Sequence, residues 1–147
     1  MNHARRSKSQ QPMKVFLSHD SADAVLAQKI RDLLSRHLNV RVFMDEDLTA
    51  AEHWASKLRQ QIEGADVVVA LLTPRSVGSN WVLQEIGAAW GLEKPIISIM
   101  TQRDVRNRWP VQLNSEMALE LKNLDTAESA EKFITEFERT LAATHVN

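Results

Sequence analysis

The chain has 147 residues, 44% of them apolar, and its 18 Lys and Arg against 19 Asp and Glu leave a formal net charge of −1. A domain of this size buries roughly two thirds of its unfolded surface and holds a core without staples. The absence of cysteine excludes thiol nucleophiles, Cys-ligated zinc, iron–sulfur clusters and disulfides, and the longest aliphatic run, the six residues Val67–Leu72, falls far short of the ~20 needed for a transmembrane helix.

Met1 to Pro12 carries Arg5, Arg6 and Lys8, no acid and no apolar stretch. It is not a secretory signal and reads as a disordered basic tail, which makes the cytoplasm the expected compartment. Residues 13–147 read as one domain, net acidic and poorly suited by bulk charge to nucleic acid. Val15-Phe16-Leu17 is the first strand. Asp20-Ser21 are N-cap residue types ahead of a helix whose stripe is Leu26, Ile30, Leu33, Leu34 and His37 or Leu38. Val40 to Met44 alternates as a half-covered strand does. Thr49 with Glu52 forms a capping box that predicts a second helix from Ala50, its stripe being Trp54, Leu58, Ile62 and Ala65.

Val67–Leu72 is apolar at every position, as a parallel strand buried on both faces requires. Val82, Ile86, Ala89 and Trp90 predict a third helix, and Gly87 and Gly91, four apart, predict its close packing on the sheet. Ile96 to Met100 is the fourth strand. Trp109-Pro110 breaks any helix, and Ala118 to Leu121 is a short fifth strand. The last helix carries Ala130, Phe133 or Ile134, Phe137 and Leu141, with Asp125 and Glu128 at capping spacing before it.

Strands alternating with helices across short links predict an α/β, flavodoxin-like three-layer sandwich. Its parallel sheet has about five strands in the order 2-1-3-4-5, with helices on both faces. Ligands in such a sheet collect at the carboxyl ends of the strands. That rim is built from Ser18-His19-Asp20-Ser21, Asp45-Glu46-Asp47, Thr73-Pro74-Arg75-Ser76 and Thr101.

Several chemistries are excluded by the same residues. With only Gly64, Gly78, Gly87 and Gly91, neither G-x-G-x-x-G nor a P-loop can be written. Ser18-His19-Asp20 is no catalytic triad, because consecutive side chains diverge, and no G-x-S-x-G elbow accompanies it. Asp45-Glu46-Asp47 lacks calcium-loop spacing, and the five histidines are scattered, so no metal is expected. A phosphoacceptor receiver needs an aspartate where Leu71-Leu72-Thr73-Pro74 ends the third strand.

The placed residues resemble a Toll/interleukin-1 receptor (TIR) domain of the small type common in bacterial proteins. Val15 to Asp23 is similar to the family's opening box, an apolar strand followed by Ser-His and an Asp-capped helix. Val42-Phe43-Met44-Asp45-Glu46-Asp47-Leu48 and then Trp54 resemble its second box. Leu71 to Ser76 running on to Ser79-Asn80-Trp81-Val82-Leu83-Gln84-Glu85-Ile86 looks like the third strand and the Ser-x-Trp-x-x-x-Glu-Leu helix. Lys94-Pro95-Ile96-Ile97 matches the start of the fourth strand, so the likeness covers about Met13 to Met100. Where the family usually has Pro-Gly, this chain has Ala50-Ala51, and the Thr49/Glu52 box predicts a shorter, stiffer loop.

Two functions follow from the resemblance. Some family members cleave NAD at the nicotinamide–ribose bond, releasing nicotinamide and ADP-ribose or a cyclic isomer, in bacterial immune or signal-generating roles. Others only dock with further TIR domains, a host adaptor among them. The catalytic glutamate of the first class matches Glu85, and the resemblance implies substrate-binding roles for Ser18, His19, Asp20, Asp45, Trp54 and Trp81. NAD is then a substrate, with no separate cofactor, metal, nucleic acid or membrane involved. On periodicity alone Glu85 is a surface helix glutamate, Trp54 and Trp81 are helix-to-sheet anchors, and Ser18 to Ser21 only cap a helix. Backbone N–H groups at the start of the first helix are expected to receive phosphate oxygens. Self-association is implied by the family, with activation by a separate sensor or by concentration. A nucleoside deoxyribosyltransferase-like enzyme shares this kind of fold and also breaks an N-glycosidic bond.

Overall fold

The computed structural model describes residues 11–45, 54–102 and 117–144. Its strands are β1 (Met13–Ser18), β2 (Val40–Met44), β3 (Val67–Leu72), β4 (Ile96–Met100) and β5 (Ala118–Glu120). They form one parallel sheet in the order β2-β1-β3-β4-β5. Four helices are described: α1 (Ala24–His37), α2 (Trp54–Gly64), α3 (Asn80–Gly91) and α4 (Ala127–Ala143). The expected fold and strand order are those observed.

Pleating sends alternate residues of each strand to opposite faces, and two cores result. Val15, Leu17, Val67, Val69, Leu71, Ile97 and Ile99 pack with Ile30 and Leu34 of α1 and Phe133, Phe137 and Leu141 of α4. Phe16, Val68, Ala70, Leu72, Ile96 and Met100 pack with Ile62 of α2 and Val82, Ile86 and Ala89 of α3. All six residues of β3 are buried, as its uninterrupted apolar run requires. In β2, Arg41 points outward and its guanidinium lies 5.4 Å from the centre of the Phe43 ring.

Helix ends follow local hydrogen-bond chemistry. The Asp20 carboxylate accepts from Ala22 N at 2.9 Å and caps a single turn, Ser21–Asp23, that leads into α1. Ser79 caps α3, accepting from Val82 N at 3.3 Å. The cap of α4 is not the Asp125/Glu128 pair: Thr126 Oγ1 accepts from Ser129 N at 3.0 Å while Ser129 Oγ accepts from Thr126 N at 3.3 Å. A hydroxyl on the residue directly before the helix reaches that donor, whereas Glu128 lies within the first turn, where it favours the helix dipole. The expected start of α2 at Ala50, the Thr49/Glu52 box, Ala50-Ala51 and Trp109-Pro110 lie outside the described residues.

The third helix departs from expectation in one respect. Gly87, Trp90 and Gly91 are exposed, and a Cβ added at either glycine meets nothing within 4 Å. Glycine spacing marks a smooth helix face without saying which way it turns, and here Val82, Glu85, Ile86 and Ala89 occupy the sheet side instead.

Candidate functional site

Ser18 closes β1 with the same pleat parity as Phe16, so its side chain turns toward the face covered by α2 and α3. From that face α3 presents Glu85, which is 0% exposed and therefore not a surface helix glutamate. The Ser18 hydroxyl donates to Glu85 Oε1. Glu85 Oε2 is buried without a hydrogen-bond partner. Burial pushes the Glu85 carboxyl up to about 8; the Ser18 hydrogen bond pulls it back, and the charge of Asp45 adds to the rise.

Asp45 directly follows β2 and joins two more of the expected residues. One carboxylate oxygen accepts from Trp81 Nε1 at 2.6 Å, and the other lies 3.6 Å from His19 Nε2. His19 is 1% exposed. Its Nδ1 faces the carbonyl oxygen of Asp20 at 2.8 Å, so Nδ1 carries the hydrogen and donates. Trp81 and Glu85, four apart on α3, thus reach Asp45 and Ser18 at the exits of β2 and β1.

A second network joins the exit of β1 to the exit of β3. Thr73 Oγ1 donates to the buried Asp23 carboxylate at 2.6 Å and accepts from Arg75 N at 3.1 Å and Ser76 N at 3.2 Å. Ser76 Oγ accepts from Thr73 N at 2.8 Å, and Arg75 Nη1 donates to Ala22 O at 3.0 Å. The turn after β1 and the turn that leads to α3 are therefore tied by the buried Thr73–Asp23 hydrogen bond, the kind that holds one geometry, and by the exposed Arg75–Ala22 one.

Of the residues expected at the site, Ser18, His19, Asp45, Trp81 and Glu85 come together. The Asp20 side chain is turned away into its capping bond, and its backbone carbonyl alone meets the cluster, at His19. That bond occupies Ala22 N, one of the donors expected to receive phosphate. Only the backbone of Trp54 is described, at the start of α2. Two residues escape a reading of the sequence: Asp23, which looks like a first-turn helix acid, and Ser98, a lone serine within the apolar run of β4. Among the described residues no three His, Asp or Glu gather as a metal site, and no helix is long and apolar enough to cross a membrane.

A buried carboxyl held by a hydroxyl donor suits the stabilisation of a developing cation once it ionises, and a value near 8 keeps it poised for proton exchange near neutrality. A family model described as "TIR domain" matches residues 15–136. The TIR domain of the Toll-related receptor TRR-2 from Hydra magnipapillata is similar in structure, with a TM-score of 0.64 and 18% identity over 85% of this chain and 97% of that one. The TIR domains of the activated Roq1 resistosome, which directly recognises the pathogen effector XopQ, match with a TM-score of 0.54 and 15% identity over 90% of this chain and 75% of that one. A 2-desoxiribosyltransferase from Leishmania mexicana matches with a TM-score of 0.53 and 20% identity over 85% and 98%. These likenesses establish the fold. No curated protein matches the chain in sequence.

Proposed function

The chain belongs to the TIR-domain family, and from that premise we propose that it cleaves the nicotinamide–ribose bond of NAD, with Glu85 as the catalytic residue. The observation that carries this reading is the fully buried Glu85 carboxyl, held by the Ser18 hydroxyl at the carboxyl end of the sheet. Ordinary glycoside hydrolysis needs two carboxyl groups because the leaving oxygen must be protonated. Nicotinamide leaves from a pyridinium cation with the bonding electron pair and departs neutral, so no general acid is required. Positive charge develops at the ribose carbon, and an ionised Glu85 would stabilise it. Attack by water at that carbon then gives ADP-ribose and a proton, and attack by a ring nitrogen of the adenine gives a cyclic ADP-ribose, also with release of a proton.

Asp45 and Trp81 are the proposed walls of the site, and His19 sets the orientation of Asp45. Because Glu85 has no exposure, substrate contact requires this cluster to open. The Roq1 resistosome holds TIR domains within a larger assembly, which supports self-association as the opening event here. The test is nicotinamide release from NAD, followed by chromatography at low and high protein concentration beside a folded Glu85→Ala variant. Release that rises with concentration and falls ~10²-fold or more in the variant is the expected result. Absence of release at every concentration, or release indifferent to Glu85, overturns the reading.

A docking module is the second reading. It is favoured by the outer face of α3, where Leu83 and Trp90 are exposed at 37% and 57% with Gly87 between them.

A further inference from the structure

We propose that Ser98 is a positioning residue for Glu85, acting through one water molecule shared by Ser98 Oγ and Glu85 Oε2. Ser98 is 3% exposed at the centre of β4 and has the pleat parity of Ile96 and Met100, so it faces the same side of the sheet as Ser18. The register aligns Ser18 with Ala70, Ala70 with Ser98 and Ser98 with Ala118. A row of small side chains therefore crosses four strands at the level of the site. Larger residues bound it on both sides, Phe16-Val68-Ile96 before it and Leu72-Met100 after it.

The two hydroxyls stand at either side of Ala70. Neighbouring strands lie about 4.8 Å apart, which separates Ser18 from Ser98 by roughly 10 Å. The hydrogen bond from Ser18 together with the width of the Glu85 carboxyl covers about half of that distance, and two hydrogen bonds through a single water cover about the rest. Glu85 Oε2 and Ser98 Oγ are both buried and both without a partner, and a shared water requires them to stand at the two ends of that remaining gap. Buried polar atoms in native proteins are nearly always satisfied, and where no protein group does so an ordered water does. The charged group that acts on Glu85 is Asp45 at the end of β2, and His19 at the exit of β1 lies against Asp45. Within the row at the level of the site, β3 and β4 contribute Ala70 and Ser98, neither of them titratable. The shared water donates to the carboxylate, so it favours the ionised form and holds the group in one orientation.

The test is a carbon-13 NMR titration of the Glu85 carboxyl in the full chain, with Glu85→Gln identifying the signal. It is run beside Ser98→Ala and Ser98→Thr. In Ser98→Ala the midpoint is expected to rise by about half a unit to one unit, and in Ser98→Thr, which keeps the hydroxyl, to return toward that of the natural chain. The kinetic arm alone rests on the NAD reading: below the midpoint Ser98→Ala lowers kcat several-fold at unchanged KM. An unchanged midpoint in Ser98→Ala, with the gain in stability that follows from deleting an orphaned hydroxyl, overturns the proposal. Equal shifts in Ala and Thr variants also overturn it, since packing then explains both. A shifted midpoint in a chain that releases no nicotinamide upholds the Ser98 coupling while removing the NAD reading; release of nicotinamide with no shift does the reverse.

Discussion

Glu85 has an ordinary carboxyl value of 4.5 and is pushed up to about 8 by burial, so between those values the unfolded chain ionises it and the native chain does not. The native state then binds more protons, and stability falls as pH rises through that window, by up to about 1.4 kcal/mol per unit, levelling off above it. Glu85→Gln is therefore expected to match the natural chain in urea unfolding near pH 4.5 and to exceed its stability increasingly up to pH 8. Activity has the opposite slope, because stabilising a cation requires the ionised form. Ser18 and Glu85 are legible in the sequence, one as the last residue of an apolar run and the other through the Ser-x-Trp-x-x-x-Glu spacing. Asp23 and Ser98 are not, since each acquires its meaning from a neighbour on another strand or turn, and strand register leaves no mark in local composition. Asp20 shows the converse: its place beside Ser-His suggested the site, while a competing local bond to Ala22 N took its carboxylate.

Among the elements, α3 has the most informative ends. After Gly91 the chain reverses through a Schellman motif, with Lys94 N bonded to Ala89 O at 2.9 Å and Glu93 N to Trp90 O at 3.0 Å. The residue that makes this turn is Glu93, at φ 58°, in the left-handed region where glycine carries no penalty. Glu93→Gly is expected to stabilise the fold by about 1 kcal/mol, read from the urea midpoint at constant slope. Strands are the elements most readable in this sequence, because burial on both faces leaves uniform apolar runs with sharp ends. Helix rotation is less readable: an apolar stripe identifies a helix, but Trp90 at the margin of its stripe is exposed. Small residues at Gly87 and Gly91 are compatible with either packing or solvent.

In the whole molecule the sheet separates two cores, and the one under α1 and α4 is closed by an aromatic pair from α4. Phe137 is fully buried there, with its ring centre 6.0 Å from that of Phe133. Phe137→Ala is expected to cost about 3–5 kcal/mol in denaturant unfolding. It lies across the sheet from Glu85, so any activity that survives should titrate with the same midpoint. Topology was legible from alternation alone, because right-handed crossovers leave few ways to wind five parallel strands. The β1 strand is paired along both edges and covered on both faces, whereas α3 has an open outer face. Amide protons of β1 therefore exchange with solvent only when the whole fold opens, while those of α3 have a cheaper route through the helix lifting from the sheet. The Ser18–Glu85 bond spans that boundary, so deuterium uptake along α3 would report directly on how often the two halves of the site part.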